Sequence, residues 1–334
     1  MNKTIALMLA LVVVIAAGAF ATGSSGAAHR RYTIAFGADP KDSRVTGARA
    51  AAKQLGVRFV LSNCLAQGGC DQYDAKRLIA RHVDAVVGAG YVPTLRPFFR
   101  KVREAGILLI SSGDDIAAKR DLWVNYSGTV AFAHALADAL ASQINGSGEY
   151  AILEEHGQYP IATTWAKGVA AYTPQAYPNM TLDGVLNLTG GGDQAEVDAV
   201  KSFMSAHPNL KGLIGIAPTE AYMAAEAITQ EGKIGQVFSA SNGGDYLGPE
   251  LAGYIRSGAM EDVMGGDPAK LGYLTVWAAH RLLTGRHFRP GAYQVGGPIG
   301  TVHYYKHNKE LRLGQPLTIT KANVDVRRTV GDPR

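Results

Sequence analysis

Polar side chains that could do chemistry stand directly behind one apolar run of this sequence. The run Ile107–Ile110 is followed at once by Ser111 and Ser112, and after one glycine come Asp114 and Asp115. Such carboxylates and hydroxyls can hydrogen-bond a small polar ligand, although they can also simply cap a turn in water. Their position favours ligand binding, because open parallel sheets bind ligands beyond the carboxyl ends of their strands.

Motifs of catalysis and of nucleic-acid binding are absent from the sequence. It contains no G-x-S-x-G elbow, no H-E-x-x-H zinc signature, no Walker loop and no G-x-G-x-x-G that opens a helix. Glu155 and His156 could form a hydrolytic pair, but no nucleophile accompanies them. The net charge of +5 comes without any block of basic residues. The sequence therefore predicts no catalytic residue, no cofactor, no metal site and no nucleic-acid partner.

The elements that would position the polar side chains alternate between strand and helix patterns. From Val83 to Asp115, two apolar runs enclose a segment of helical period, which predicts a β-α-β unit. The alternation continues through most of the chain, with a break at 145–148 between two series. We therefore predict an α/β fold with two Rossmann-like lobes, each built on a parallel sheet with right-handed crossovers.

The N-terminus has the pattern of a secretory signal peptide. Lys3 gives a positive start, 5–17 form an apolar core, and 19–21 read Ala-Phe-Ala, a small-x-small cleavage site. The apolar core is too short for a comfortable membrane span, which argues against an uncleaved anchor. We expect the signal peptide, residues 1–21, to be removed and the mature protein to be periplasmic.

Two cysteines, Cys64 and Cys70, lie six positions apart. Export to an oxidising compartment favours a disulfide between them, and Gly68 and Gly69 supply the backbone freedom that a tight loop needs. A metal site is the alternative, but neither a histidine nor a further cysteine stands nearby at ligand spacing.

Several stretches of the sequence resemble one protein family, the type I periplasmic sugar-binding proteins of ABC importers. They are DAVVGAGYVPTLRPFFRKVREAGILLI, VNYSGTVAFAHALADAL, AHPNLKGLIGIAPTEAYMAAEAI and GGDPAKLGYLTVWAAHRLLTG. The resemblance covers roughly residues 32–326. The C-terminal stretch GTVHYYKHNKELRLGQPLTITKANVDV is similar to the ends of the autoinducer-2-binding and rhamnose-binding branch.

This resemblance implies two discontinuous lobes joined by three hinge crossovers, the periplasmic binding protein type I fold. The expected N-terminal lobe is 31–125 plus 267–294, the expected C-terminal lobe is 126–266 plus 295–326, and 327–334 form a tail. The hinge crossovers would lie near Tyr126, Gly265 and Gly296. A DNA-binding repressor of the same fold is excluded, because the signal peptide stands where its helix-turn-helix would be.

The cleft between such lobes would contain polar and aromatic side chains from the strand ends. A sugar needs polar groups for its hydroxyls and an aromatic face for its C–H surface. The expected ligand-binding residues are Asp39, Lys41, Tyr91, Ser112, Asp114, Asn125, Gln158, Trp165, Pro218, Glu220, Asn242 and Asp267. The resemblance singles out Asn125 and Asp267, since the hinge positions that they match face the ligand throughout the family.

Some of these residues have a structural alternative. Asp114 could be a solvated turn residue, and Trp165 could belong to the core face of its helix. Lys41 and the neighbouring Arg44 would be exposed unless their loop folds into the cleft. Thr219, which follows Pro218, could cap a helix instead of contacting a ligand.

The ligand class follows from the resemblance and from the departures from it. The first loop, ADPKDSR, lacks the aromatic pair of pentose and hexose receptors, and the helix ATTWAKG lacks their arginine. Ser112 and the pair Ile161-Ala162 depart from the autoinducer-2 pattern. We therefore expect a sugar, polyol or deoxysugar other than autoinducer-2.

The partners follow from the same resemblance. A monomer that binds this ligand would deliver it to the membrane permease of an ABC importer. The alternative is a sensory receptor that presents the bound ligand to a chemoreceptor or histidine kinase.

Overall fold

Two sheets flanked by helices form the framework of the molecule. The computed structural model describes residues 30–66, 69–88, 93–116, 119–155, 160–189, 191–244 and 249–325. The strands are β1 (Thr33–Phe36), β2 (Arg58–Leu61), β3 (Ala85–Gly88), β4 (Leu108–Ser112), β5 (Leu122–Asn125), β6 (Ser147–Glu155), β7 (Asn179–Leu188), β8 (Leu210–Gly215), β9 (Phe238–Gly244), β10 (Asp262–Gly265), β11 (Gly291–Val295), β12 (Gly300–Tyr305), β13 (Glu310–Arg312) and β14 (Leu317–Thr320). The helices are α1 (Ser43–Leu55), α2 (Asn63–Ala66), α3 (Gln72–Ala80), α4 (Arg96–Glu104), α5 (Thr129–Gln143), α6 (Pro160–Ala176), α7 (Gln194–Ala206), α8 (Pro218–Gln230), α9 (Pro249–Ser257) and α10 (Pro268–Leu283).

Each sheet is parallel in its centre and carries its antiparallel strands at one edge. The first has the order β11-β12-β13-β5-β4-β3-β1-β2, in which β11, β12 and β13 pair antiparallel and the rest pair parallel. The second has the order β14-β10-β9-β8-β6-β7, in which only the pairing of β14 with β10 is antiparallel. The predicted α/β class with two lobes and mostly parallel sheets is confirmed.

Apolar side chains fill both faces of both sheets, as buried parallel strands require. In the first lobe, Ile34 and Val124 belong to the core under α1 and α10, while Phe98 and Leu109 belong to the core under α4. The second lobe has two corresponding cores, one against α7 and α8 and one against α5 and α6. The lobes therefore have their own hydrophobic cores, and both lie within the single unit that begins at Tyr32.

Two glycines allow α1 and α10 to cross almost backbone to backbone. A Cβ atom on Gly47 would lie 1.7 Å from the carbonyl oxygen of Ala269, and one on Gly272 would lie 1.9 Å from that of Arg44. Real Cβ atoms do not approach an oxygen so closely, so any side chain at these positions would push the helices apart. The crossing fixes the first turn of α1, which carries Arg44, against the first turn of α10.

The C-terminal strands return to the first sheet before the chain crosses to the second lobe. Glu310–Arg312 pairs in parallel with Trp123–Asn125, and Val302 and Leu311 are buried in the core of the first lobe. The predicted change of lobe near Gly296 therefore does not coincide with the sheets, because β11, β12 and β13 pair within the first sheet and bury Val302 and Leu311 in its core. The third crossing lies between β13 and β14, at 313–316.

The chain also passes from one sheet to the other after β5 and after β10. The signal peptide at 1–21 and the tail at 327–334 lie outside the described residues. Among the helices that are described, none is both long enough and apolar enough to span a membrane.

Candidate ligand-binding site

A cavity of about 440 Å³ lies between the two lobes, at the carboxyl ends of the central strands. Its walls are Arg44, Gly113, Asp114, Trp123 and Asn125 from the first lobe, Tyr126, Ser127, Gly265 and Gly266 at the crossings, and Phe132, Glu155, Ile161, Ala162, Trp165, Ala217, Pro218, Thr219, Asn242 and Gly244 from the second. Ligands of open α/β sheets bind in this position, since the loops after parallel strands meet at one edge. The volume and the mixture of polar and aromatic side chains suit one small polar molecule.

The first-lobe wall contains one cation and one carboxylate. Asp42 accepts the backbone N–H of Arg44 as the N-cap of α1, and its carboxylate also receives the Arg44 guanidinium, with Nε at 2.9 Å and Nη2 at 2.5 Å from Oδ2. Burial raises the pKa of Asp114, and the positive charge of Arg44 opposes that rise. Asp114 is thus the carboxylate of this wall that faces the cavity without being bound into the N-cap.

Aromatic rings form the apolar part of the cavity. Trp165 in α6 packs against Phe132 in α5 with ring centroids 4.6 Å apart, and both line the cavity. The indole Nε1 of Trp165 is buried and donates no hydrogen bond among the described residues. Trp123 differs, because its indole N–H donates to the carbonyl oxygen of Gly113. Trp165 therefore offers both a ring face and an unused donor.

The second-lobe wall is acidic. Glu155 at the end of β6 lines the cavity and is only 4% exposed, and Glu220 in the first turn of α8 is fully buried at 0%. Burial first, and then repulsion from Glu155, raise the pKa of Glu220 to about 7. The pKa of Glu155 is also raised, by burial and by the nearby Glu196. Within the described ranges, neither Glu155 nor Glu220 forms a salt bridge, and only backbone N–H groups, those of Glu155, Ala217 and Glu220, oppose the rise in the pKa of Glu220.

Two amides that line the cavity are already bonded to the protein. The Nδ2 of Asn125 donates to the carbonyl oxygen of Ser127 (2.7 Å) and to Glu310 (2.9 Å), while its Oδ1 accepts the N–H of Tyr126. The Nδ2 of Asn242 donates to the carbonyl oxygen of Ile216, and its Oδ1 accepts the N–H of Gly244. These side chains shape the cavity wall by fixing the loops around it.

The structure brings five of the sequence-predicted residues to the cavity and places five elsewhere. Asp114, Asn125, Trp165, Pro218 and Asn242 line it. Asp39, Lys41, Ser112, Glu220 and Asp267 are not part of its lining. Tyr91 and Gln158 lie outside the described residues.

Each of those five has a different environment. Asp39 and Lys41 are exposed, and the Asp39 carboxylate accepts the backbone N–H of Lys41. The buried hydroxyl of Ser112 faces that of Thr275 at 2.9 Å. Asp267 caps the N-terminus of α10 by accepting the backbone N–H of Lys270 at 3.0 Å. Glu220 lies behind the wall formed by Glu155.

Some residues of the cavity were not among the expected ligand contacts. Tyr126 was expected only as a hinge, and Phe132, which lies in the first turn of α5, was not expected at all. Arg44 was expected to be exposed unless its loop entered the cleft. The signal that could have identified it is Asp42, which both caps α1 and holds the guanidinium.

A disulfide joins Cys64 to Cys70, away from the residues that line the cavity. Both sulfurs lie near the carboxylate of Asp74, and these three residues are the group of possible metal ligands that is found in the described part of the chain. Because the sulfurs are bonded to each other, they are not available as thiolate ligands.

Solved structures share this fold at low sequence identity. A sugar ABC transporter protein from Actinomyces odontolyticus is 20% identical, with a TM-score of 0.72 over 88% of this chain and 97% of that one. An arabinose-binding protein from Geobacillus stearothermophilus is 16% identical, with a TM-score of 0.71 over 89% of this chain and 99% of that one. A solute-binding protein from Clostridium phytofermentas with bound L-rhamnose is 22% identical, with a TM-score of 0.67 over 88% and 97%.

The comparison with curated proteins finds no match. A protein-family model described as a periplasmic binding protein domain matches residues 43–287, which is most of the two-lobed region. The chain belongs to the periplasmic binding protein family.

Proposed function

We propose that this protein captures a sugar or sugar-like small polar molecule between its lobes and delivers it to an ABC importer. The observation that carries the proposal is the interlobe cavity, to which both lobes contribute polar and aromatic side chains. Trp165 supplies a ring face and a donor, and Asp114 and Glu155 supply acceptors, which are the groups that a polyhydroxylated ligand requires.

The family and the solved structures support the same ligand class. Two of the structures of this fold carry names that state sugar binding, L-rhamnose in one and arabinose in the other. The first loop and α6 lack the aromatic pair and the arginine that pentose and hexose receptors commonly carry, so we propose a sugar or polyol without naming one. Capture without turnover fits a family of binding proteins, and we propose that the chain is not an enzyme.

The location and the partners belong to the same proposal. The N-terminal pattern supports cleavage after residue 21 and release into the periplasm. There the loaded protein would act as a monomer that docks on the membrane permease of the importer. Mass spectrometry of the N-terminus after cell fractionation tests the cleavage, and sedimentation tests the monomer.

A thermal-shift screen against sugars, polyols and deoxysugars tests the ligand proposal. A ligand present at about 100 times its Kd should stabilise the folded protein by roughly 2.7 kcal/mol, which is easily detected. Asp114→Asn should weaken binding of a compound that the screen identifies at least about tenfold, because a buried charge-assisted hydrogen bond is lost. Asp198→Asn, at an exposed site on α7, is the matched control and should bind normally. If no compound in the panel stabilises the protein, the proposal fails.

A further inference from the structure

The charges that face the cavity do not balance. Among the described residues, its charged lining consists of Arg44, Asp114 and Glu155. Arg44 forms an ion pair with Asp42 at 2.5 Å, and its positive charge also acts on Asp114, so two carboxylates of the first lobe share this one cation. The remaining two carboxylates face the cavity from opposite lobes, with Glu220 buried behind Glu155.

The second-lobe carboxylates lack a counterion of their own. Neither Glu155 nor Glu220 pairs with a basic side chain in the part of the chain that the structure describes, and no side chain there donates a hydrogen bond to the buried Glu220 carboxylate. Burying an ionised carboxylate without a partner costs several kcal/mol, and natural proteins offset that cost with a cation or with a proton. The raised pKa of Glu220 is a consequence of the same cost, since burial disfavours the ionised form.

The rest of the wall fits a ligand that is both cationic and hydroxylated. The rings of Phe132 and Trp165 lie on the same lobe as Glu155, and aromatic faces attract ammonium groups. The unused indole N–H of Trp165 cannot bind a cation, but it can donate to a hydroxyl or ring oxygen. A simple amine would leave that donor buried and unpaired, whereas a neutral sugar would leave Glu155 without a counterion.

We propose that the ligand of this cavity is an amino sugar, whose protonated amine binds Glu155 on the second-lobe wall while its hydroxyls meet Trp165 and Asp114. This inference rests on the proposed function and narrows its ligand class. The amine supplies the positive charge that the wall lacks, and closure of the lobes then buries a neutral pair instead of an isolated carboxylate.

Calorimetry on matched triplets at neutral pH tests the amine directly. The probes are glucose, galactose and mannose, each with its 2-amino and its N-acetylamino form. The N-acetyl form keeps bulk at the same carbon but removes the charge. In at least one triplet the free amine should bind at least about tenfold tighter than both other forms, the effect of one buried charge-assisted contact.

Two variants assign the effect to its residue. Glu155→Gln should reduce the preference for the amine to less than about threefold, while Glu104→Gln, an exposed site on α4, should leave it unchanged. A preference that survives in Glu155→Gln would overturn the assignment. Melting curves of both variants verify folding, and the triplets measured on the unmodified protein decide the ligand class even if Glu155→Gln does not fold.

The outcomes separate this inference from the proposed function. If neutral sugars or polyols bind and no free amine binds more tightly than its parent sugar, the amino-sugar inference is wrong and the proposed function stands. If no compound of the triplets or of the wider panel binds, the amino-sugar inference and the proposed function are both wrong.

Discussion

A carboxylate that is fully buried without a counterion makes folding depend on pH. Glu220 has an ordinary pKa of 4.5 when unfolded and one of about 7 when folded. Between these values the unfolded chain releases the proton and the folded protein keeps it, so the free energy of unfolding falls as the pH rises. Above about pH 7 the free energy of unfolding falls no further on account of Glu220, and the total decrease is up to about 3 kcal/mol.

Glu220→Gln should remove this dependence. The free energy of unfolding can be measured with denaturant at about pH 5 and about pH 8. The value for the variant minus the value for the unmodified protein should be larger at the higher pH by roughly 2–3 kcal/mol. Because only the change with pH is compared, the constant effect of the amide and the titration of groups that both proteins share cancel. Glu231→Gln, at an exposed site, should show no change in this difference between the two pH values. A constant difference for Glu220→Gln would mean that Glu220 is ionised at both values.

At the scale of single residues, the sequence identifies side-chain types better than their hydrogen-bond partners. Asp114 and Trp165 could be selected because they follow a strand end or begin a helix at the cleft, and both line the cavity. Asn125 also lines it, but its amide is held by Glu310, which is 185 positions away. Such a partner is invisible in local sequence patterns, since it depends on the return of the C-terminal hairpin to the first sheet.

At the scale of elements, the N-terminus of α10 depends on Asp267. Its carboxylate accepts the backbone N–H of Lys270, one of the donors that a helix start leaves without an intrahelical partner. Asp267→Ala should lower the free energy of unfolding by about 1 kcal/mol, while Asp267→Asn, which can also cap, should lower it by much less. Denaturant unfolding measures both. Equal losses in the two variants would exclude capping as the reason for this residue.

The crossing of α1 with α10 should tolerate no side chain at Gly47. Alanine there would place its Cβ 1.7 Å from the carbonyl oxygen of Ala269, so the helices must separate, and we expect a loss of at least about 1–3 kcal/mol. Gly253 in α9 is the matched control, because a Cβ there meets nothing within 4 Å. Gly253→Ala should therefore stabilise the protein by roughly 0.5–1 kcal/mol. A neutral Gly47→Ala would show that the helices are not closely packed.

The alternation of strands and helices could be predicted because each element carries its own apolar period. The pairing of the last strands could not, because β11, β12 and β13 are short and alternate like any exposed hairpin. Their place follows from Val302 and Leu311, which are buried in the core of the first lobe. Local periodicity therefore predicts that strands exist, while long-range burial decides which sheet they join.

At the scale of the whole molecule, the three crossings between the lobes contact one another. The N–H of Leu313 donates to the carbonyl oxygen of Asn125 at 2.8 Å, and that of Gly314 donates to Tyr126 at 2.9 Å. Gly266 on the remaining crossing lies so close to Tyr126 that a Cβ would be 2.1 Å from its ring. We propose that a small rotation at these few residues moves one lobe as a body against the other.

Binding should close the lobes about this hinge, because a ligand in a cavity shared by two lobes makes all of its contacts only when both walls approach it. Small-angle scattering of the protein should show a smaller radius of gyration with a saturating concentration of the compound found by the thermal-shift screen. Asp114→Asn at the same concentration should compact less, since fewer molecules are loaded when one wall has lost its charge. Calorimetry verifies that the unmodified protein is saturated. If its radius of gyration is then unchanged, the lobes are already closed without ligand, and the crossings act as a rigid joint and not as a hinge.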